Sequence, residues 1–273
     1  MSKKYKNSVV IDGDSVVKKR NDEVLELYDY LLLSGFDNFP SVIEVLDDSV
    51  RSKYIKSEKY REVSSGTSII ETMAKLHSKT VFYKDISSNK HKEVKEKIEG
   101  NILYLKDYYE NLMDSIEGEV YMSPSHYLLA RNYSTILGSL KYAEENIKKW
   151  MNIVKDKTTE RVCIVHNNIK KEHFIRGDKN YLISWEKHLV DTPVLDLYKY
   201  YKSDGYKLNF DILFKTYKNN FELLKEEELL FKILISIPPK MVLSGSEVEK
   251  TIYVKDSLKY IYESYKIVKE RNN

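Results

Sequence analysis

Apolar and polar residues alternate over short runs at the start of the chain. "SVVIDGDSVVKKR" has two Val-rich runs around Gly13, which can adopt the positive φ of a tight turn. "NDEVLELYDYLLLSG" follows with helical spacing, Asn21 or Asp22 as N-cap and Gly35 at its end. "FPSVIEVLDDSVRSKYIKSEKY" alternates around turn residues and predicts one or two strands. Residues 1–60 are therefore predicted to form a small β-β-α-β-β unit.

The pattern changes to helical spacing from Ser65 onward. "SGTSIIETMAKLHSKT" begins a helix, and long helical patterns follow over residues 92–116 and 123–154. Short strands around residues 162–186 interrupt the helices, which then continue through the last apolar pattern, "VEKTIYVKDSLKYIYESYKIVKERN". Residues 61–273 are therefore predicted to be mostly helical with a β insert, which makes the fold class α+β.

Composition limits the classes of protein to which the chain can belong. The chain has 273 residues, 42% of them hydrophobic and 32% charged, so it can bury a core. The net charge of +3 is too small to indicate nucleic-acid binding, and no apolar run approaches the roughly 20 residues of a membrane span. The opening "MSKKYKNS" has no apolar stretch behind it and does not resemble a signal peptide. We expect a soluble, cytoplasmic protein.

The single cysteine, Cys163, cannot form an internal disulfide and indicates a reducing compartment. It lies in an apolar run, which favours a core position over a nucleophile. The candidate chemistry comes directly after it, in "VHNNIKKEHFIRGDKNYLISWEK". This stretch predicts a strand, a tight loop opened by His166, and two further strands, with Glu186 at the end of the last.

The order of these motifs resembles the aminoglycoside phosphotransferase and choline kinase-like branch of the protein kinase-like fold, and is most similar to CotS-type spore-coat kinase-like proteins. "SVVKK" resembles the strand of the phosphate-binding lysine, with Lys18 as the better candidate and Lys19 as the second. The helix after it offers Glu23 or Glu26 at the place of the glutamate that pairs with this lysine. "TMAKLHSKT" resembles the "LAxLH" helix that follows the hinge.

Two later motifs extend the resemblance along most of the chain. "VHNNIKKEHFI" resembles the catalytic loop "HGDxxxxNI", and "LISWEKHLVDTPVLDLYKYY" resembles "IIDWDxxxxDxPxxDLAxxY". The tail "LLKEEELLFKILISIPPKM" is similar to the helical end of the spore-coat group. The resemblance implies a two-lobe fold, with a small β-rich N-lobe over residues 1–60 and a large, mostly helical C-lobe over residues 61–273 that carries the catalytic-loop-like insert at residues 162–186.

The departures from the family pattern fall on the residues that would perform chemistry. Asn168 stands where the family has its catalytic aspartate, and an amide cannot act as a base at neutral pH. His173 and Ser184 stand where the family has the asparagine and aspartate that hold Mg²⁺, which prefers oxygen ligands. Glu186 keeps the second acidic position of the last strand. We therefore expect no intact catalytic group, no metal site and no required cofactor, with ATP binding without Mg²⁺ as the alternative.

The phosphate-covering loop is also expected to be missing. Eight residues precede Val9, and no glycine occurs before Gly13. A Gly-rich loop that folds its backbone N–H groups over phosphates needs a strand on each side. The chain has room for the second of these strands and hardly for the first.

Several candidate residues also have a purely structural interpretation. His166 can bond backbone around its loop, His77 fits a hydrogen-bonded core histidine, and Lys18 is equally well an ordinary strand lysine. The spacing of His166, His173 and His188 matches no known ligand pattern, which disfavours a histidine metal site. Asp196 resembles the family's aspartate that anchors the catalytic loop.

The main hypothesis is a catalytically inactive kinase-like protein, a pseudokinase that works as a binding or scaffolding module. An unknown protein partner is expected, and the CotS resemblance suggests assembly of the spore coat. Two alternatives remain open. One is an active small-molecule phosphotransferase in which Glu186 and a neighbour such as Asp191 do the acid work. The other is a sensor that binds a nucleotide without metal and without transfer.

Overall fold

The structure, a computed structural model, describes residues 3–5, 9–57 and 62–269. Its strands are β1 (Lys3–Tyr5), β2 (Val9–Asp12), β3 (Ser15–Lys19), β4 (Val42–Val45), β5 (Ser49–Lys53), β6 (Phe82–Asp85), β7 (Thr159–Val165), β8 (Phe174–Arg176), β9 (Asn180–Leu182) and β10 (Leu189–Asp191). Its α-helices are α1 (Asp22–Leu33), α2 (Glu62–Thr80), α3 (Lys90–Glu117), α4 (Pro124–Arg131), α5 (Tyr133–Val154), α6 (Val194–Ser203), α7 (Phe210–Asn220), α8 (Lys225–Ser236) and α9 (Glu247–Val268). None of the helices in the described ranges is long and apolar enough to cross a membrane.

Strands β1 to β5 form one antiparallel sheet in the order β1-β2-β3-β5-β4. The predicted hairpin is confirmed, because β2 pairs with β3 and Gly13 takes a φ of +57° in the turn between them. Ser15 Oγ donates to the carbonyl oxygen of Asp12 at 2.8 Å and closes this turn. The hairpin places Lys18 in β3, opposite Val50 of the adjacent β5.

The expectation that the chain hardly has room for a strand before β2 is wrong. Lys3–Tyr5 forms β1, which pairs with β2 through Tyr5 opposite Val9 and Lys3 opposite Ile11. A three-residue strand carries almost no alternation, so its pairing with β2 is not visible in the sequence pattern. The connection between β1 and β2, where a phosphate-covering loop would lie, is outside the described residues.

Helix α1 follows β3 directly and packs on the core of the same unit. Asn21 caps it, with its Oδ1 accepting a hydrogen bond from the backbone N–H of Val24 at 3.2 Å. Gly35, at φ +80°, turns the chain after the helix. Leu27 and Leu31 are the fully buried residues of α1, and they fix which face of the helix points inward.

The chain divides into two compact units, each assembled from separate stretches. The first unit comprises Met1–Phe82, Arg161–Tyr200 and Ile212–Glu222, and the second comprises Tyr83–Glu160, Tyr201–Asp211 and Leu223–Asn273. The first unit therefore contains the predicted N-lobe together with the catalytic-loop-like segment. Because each unit combines separate stretches of the chain, the units do not test the predicted lobe boundary near residue 60, which stays a prediction.

An aromatic and aliphatic core holds the first unit together. Trp185 is 1% exposed and stands edge-on to Phe36 and Phe39, at ring distances of 6.1 and 6.4 Å. Leu31 is fully buried beside them. Burying one such side chain stabilises a fold by about 1.5–3 kcal/mol. Since this core joins α1 to the segment after β9, it fixes the candidate site residues of both in one place.

In the second unit, α5 packs against α3 and α8, and α4 packs against α9. The single helix predicted over residues 123–154 is divided into α4 and α5 at Asn132. Asn132 leaves the helical conformation with φ −107° and ψ 8°, and its side-chain amide donates to the carbonyl oxygen of Leu128 at 2.8 Å. Side chains such as Asn that bond nearby backbone commonly end or bend helices.

Candidate functional site

Six of the predicted site residues of the first unit line one cavity of about 740 Å³. This volume lies in the range of small-molecule sites, roughly 300–1,000 Å³. The cavity is lined by Val9, Lys18, Lys19, Arg20, Asn21, Val24, Leu25, Tyr28, Val50, Ser52, Asn168, His173, Ser184 and Glu186. Six of these residues were singled out from the sequence, and the structure brings them together.

Three cationic residues are among those that line the cavity. Lys18 and Lys19 end β3, and Arg20 follows them. Lys18 Nζ lies 3.9 Å from Glu186 Oε1, and the two side chains are 39% and 53% exposed. At this distance and exposure the ion pair is weak, on the order of 0–1 kcal/mol. Arg20 Nε donates to Asp22 Oδ1 at 2.7 Å, so part of its charge is already balanced.

The expected partners of Lys18 on α1 require a correction. Glu23 and Glu26 are exposed and do not line the cavity, and within the described residues neither forms an ion pair. Glu26 lies one position before the buried Leu27 and therefore on a different face of α1. Glu23 shares the face of Leu27 but lies in the exposed first turn of the helix. The ion-pair partner of Lys18 is Glu186, from the 3₁₀ turn Trp185–Lys187.

Tyr28 is the residue that sequence reasoning missed in this cavity. Its ring stacks on Phe39 with centroids 4.2 Å apart and planes 12° from parallel, and it stands edge-on to Trp185 at 6.4 Å. Burial, and then the charge of Glu186, raise the pKa of the Tyr28 hydroxyl. Its spacing four residues after Val24 was the available signal, because positions i and i+4 share a helix face.

The loop after β7 is held by a buried carboxylate. Asp196 is fully buried, and its two oxygens accept the backbone N–H groups of His166 and Asn167, both at 2.7 Å. His77 Nε2 donates to the same carboxylate at 3.2 Å, while its Nδ1 accepts from the Tyr217 hydroxyl at 2.6 Å. Asn167 takes a φ of +60°, which lets two consecutive N–H groups point at one acceptor. Asp196 and His77 therefore anchor the loop.

His166 is part of this framework and does not line the cavity. It is fully buried, its ring lies 4.6 Å from that of Trp185, and its Nε2 donates to the carbonyl oxygen of Ile183 at 2.9 Å. Its Nδ1 has no hydrogen-bond partner among the described residues. Burial lowers the pKa of His166 to about 4, despite the opposing charge of Asp196. At neutral pH it is an uncharged support for the loop.

Asn168, His173 and Ser184 also line the cavity and offer no carboxylate. His173 Nδ1 donates to the backbone carbonyl oxygen of Asn168 at 2.7 Å, which fixes the imidazole ring. Ser184 takes a left-handed conformation with φ 67° and ψ 56° and begins the turn that carries Glu186. These three side chains present an amide, an imidazole and a hydroxyl to the cavity, and none of them is a strong base or an anionic ligand at neutral pH.

The donor set does not fit Mg²⁺. This ion prefers an octahedron of oxygen ligands and usually takes one or two carboxylates. Among the described residues that line the cavity, Glu186 has the one carboxylate, and it is paired with Lys18. Nowhere in the described ranges do three His, Cys, Asp or Glu side chains gather in a way that could hold a metal ion. His188, the third histidine of the imagined set, donates from Nδ1 to the carbonyl oxygen of Trp185.

Two other candidates lie away from the cavity. Asp191 accepts the backbone N–H of Thr192 at 2.7 Å and is not among the lining residues, so the structure does not pair it with Glu186. Cys163 is fully buried in β7, as expected for a core residue, with its Sγ 3.8 Å from the carbonyl oxygen of Asp191.

Comparison with solved structures shows the fold. An aminoglycoside phosphotransferase from Alicyclobacillus acidocaldarius matches this chain with a TM-score of 0.70 at 10% sequence identity, over 98% of this chain and 91% of that one. The AMP-bound complex of the spectinomycin phosphotransferase APH(9)-Ia matches with a TM-score of 0.54 at 12% identity, over 94% and 88%. No protein-family model and no curated protein matches the sequence. The chain has the two-lobe α+β kinase-like fold, which confirms that prediction.

Proposed function

We propose that this chain is a catalytically inactive relative of the aminoglycoside phosphotransferases and choline kinases, and that it works as a binding or scaffolding module. The observation that carries the proposal is the set of side chains in the cavity. Asn168, His173 and Ser184 lie together there, at the positions that the sequence resemblance assigns to the base and the metal ligands. The place for the chemistry is kept while its chemical groups are replaced.

Each replacement removes a separate contribution to phosphoryl transfer. Transfer depends mainly on positioning and on stabilising the developing charge, for which kinase-like enzymes rely on bound metal ions. Without an aspartate at position 168, the cavity lacks the carboxylate to which the family pattern assigns the proton of the acceptor hydroxyl. Without the family's asparagine at position 173 and its aspartate at position 184, Glu186 alone would have to hold the metal, and it already faces Lys18.

The loop framework, by contrast, is intact. Asp196 and His77 hold the backbone after β7 with hydrogen bonds that need neither metal nor substrate. A protein that keeps its fold and a cavity without keeping the reactive groups is suited to binding. We propose a protein partner, and the CotS resemblance suggests assembly of the spore coat as the setting.

A phosphoryl-transfer assay tests the main proposal. The purified protein is incubated with γ-labelled ATP and Mg²⁺ or Mn²⁺, with aminoglycosides, choline and ethanolamine as acceptors. We expect no label transfer above that of a Lys18→Met variant, which keeps the length of the side chain without its charge. Transfer by the wild type that disappears in Lys18→Met would overturn the proposal.

A second candidate function is binding of a nucleotide or another phosphorylated ligand without metal. The observation that favours it is the imbalance of charge among the described residues that line the cavity, which include Lys18, Lys19 and Arg20 but a single carboxylate, that of Glu186. Amino and guanidinium groups bind phosphate directly by charge-assisted hydrogen bonds. A rise in melting temperature with ATP in the presence of EDTA would support this function, and its absence up to millimolar ATP would exclude it.

A further inference from the structure

The ion pair between Lys18 and Glu186 joins the two parts of the cavity wall. Lys18 extends from β3, and Glu186 lies on the turn after β9 that begins at the left-handed Ser184. The 3.9 Å separation of Nζ and Oε1 is the one ion pair that either residue forms within the described ranges. Both side chains remain accessible from the cavity, which they also line.

Glu186 is therefore paired with a cation of the protein itself, and not with a bound metal ion. The donor set around it does not fit Mg²⁺, so its negative charge has no bound cation to balance it, and it lies instead beside a cation of the protein. The carboxylate of Glu186 binds the ammonium group of Lys18, which a phosphate would also have to bind. It also adds a negative charge to a cavity that is otherwise suited to anions.

We propose that Glu186 is a built-in competitor for Lys18, so that the cavity binds an oligophosphate group without a divalent ion, and binds it more tightly when the charge of Glu186 is removed. This inference rests on the metal-independent binding proposed above and adds its regulation. An oligophosphate has to displace the carboxylate from Lys18 and then remains close to it. Both effects oppose binding.

The size of the effect follows from the exposure of the pair. Because both side chains are 39% or more exposed, the ion pair itself is weak, and the repulsion between Glu186 and the ligand is screened by water. Together they correspond to an increase in affinity of about three- to ten-fold when the charge is removed. The increase should shrink at high ionic strength, since exposed charges are screened by salt.

The sign of the effect separates this inference from a metal-using site. If Glu186 were a ligand of Mg²⁺, its neutralisation would weaken metal-coupled binding of a nucleotide. If it competes for Lys18, its neutralisation strengthens binding of the metal-free anion. One substitution therefore gives opposite results under the two interpretations.

The experiment is isothermal titration of the full chain with pyrophosphate and with ATP, in EDTA and then in excess Mg²⁺. The variant is Glu186→Gln. The matched control is Glu71→Gln, which makes the same change of charge at an exposed position of α2 outside the cavity lining. Lys18→Met, alone and combined with Glu186→Gln, tests whether the gain depends on the ammonium group.

We expect Glu186→Gln to bind pyrophosphate about three- to ten-fold more tightly than wild type in EDTA, Glu71→Gln to match wild type, and Lys18→Met to abolish the gain. Equal binding by wild type and Glu186→Gln would overturn the inference while leaving metal-free binding in place. Binding that occurs only in Mg²⁺ and is weaker in Glu186→Gln would overturn both the inference and metal-free binding, because Glu186 would then be a metal ligand. No binding by any variant would overturn the inference and metal-free binding, and leave the absence of transfer standing.

Discussion

Replacing Asp196 with asparagine removes a buried negative charge that three donors share. The carboxylate accepts the backbone N–H groups of His166 and Asn167 at 2.7 Å each and His77 Nε2 at 3.2 Å. An amide puts two N–H donors where one of the oxygens stood. In the less damaging orientation the new NH₂ group faces the N–H of Asn167, and in the other it faces both His166 and His77.

The magnitude can be worked out from these bonds. Losing one hydrogen bond to a charged group costs about 1.5–3 kcal/mol. The two remaining bonds change from charge-assisted to neutral, which roughly halves their strength. We therefore expect Asp196→Asn to lower the free energy of unfolding of the first unit by about 3–5 kcal/mol, the cost typical of breaking buried charged contacts. This is a large share of the roughly 5–15 kcal/mol by which a domain is stable.

Urea unfolding followed by tryptophan fluorescence measures this loss. The chain has two tryptophans, Trp150 in the second unit and Trp185 in the first. A Trp150→Phe background leaves Trp185 as the reporter of the unit that contains Asp196. The matched control is Asp191→Asn, because Asp191 accepts a single backbone N–H and an amide oxygen can keep that bond.

We expect the control to change stability by less than about 1 kcal/mol. If Asp196→Asn were no more destabilising than Asp191→Asn, the anchoring of the loop by Asp196 would be refuted. A loss of stability in Asp196→Asn with no further loss in a variant that also carries His77→Gln would show that the three bonds act as one unit.

Three further outcomes are expected. The triple variant Asn168→Asp/His173→Asn/Ser184→Asp should gain Mg²⁺-dependent ATP affinity but show no transfer, because the connection between β1 and β2 contains no glycine that would let it fold over phosphates. It should melt below wild type without Mg-ATP, since its new carboxylates repel each other, and a variant as stable as wild type and indifferent to Mg-ATP would contradict this. Burial lowers the pKa of His166 from 6.5 to about 4, so the unfolded chain takes up a proton at higher pH than the folded chain does. The free energy of unfolding of wild type should therefore fall by about 3 kcal/mol between pH 6.5 and 4, relative to a His166→Gln variant. Urea unfolding at each pH measures this loss. Leu31→Ala should cost about 2–5 kcal/mol in the same measurement and Leu33→Ala, 88% exposed on the same helix, less than about 0.5, so equal effects would place the core elsewhere.

The cavity residues of the loop segment could be predicted because their positions depend on local order. Strand β7, the loop and the strands after it follow one another within a short stretch, so the loop motif itself brings Asn168, His173 and Ser184 to one place. Lys18 was predicted from the resemblance of "SVVKK" to the family's lysine strand, and the local hairpin around Gly13 forms that strand, β3.

The predictions from sequence were wrong mainly where contacts between residues far apart in the chain determine the structure. Whether Glu23 or Tyr28 faces the cavity depends on what buries the rest of α1, and the ring of Phe39 that stacks on Tyr28 lies in another part of the chain. Strand β1 is defined by its partner β2 and has no pattern of its own. The break at Asn132 depends on one side-chain hydrogen bond inside a sequence that otherwise continues its helical period.

The Asp196 network also has a consequence for how such a chain changes over generations. Its bonds end on backbone N–H groups and on His77, and none of them reaches a reactive side chain. Selection for a correctly folded chain therefore acts on the network whether or not the protein still transfers anything. Residues that face the cavity can drift without harming abundance, while Asp196 cannot. A protein with this fold can therefore lose its catalytic activity in a few substitutions and still keep the fold, so similarity of fold persists longer than similarity of activity.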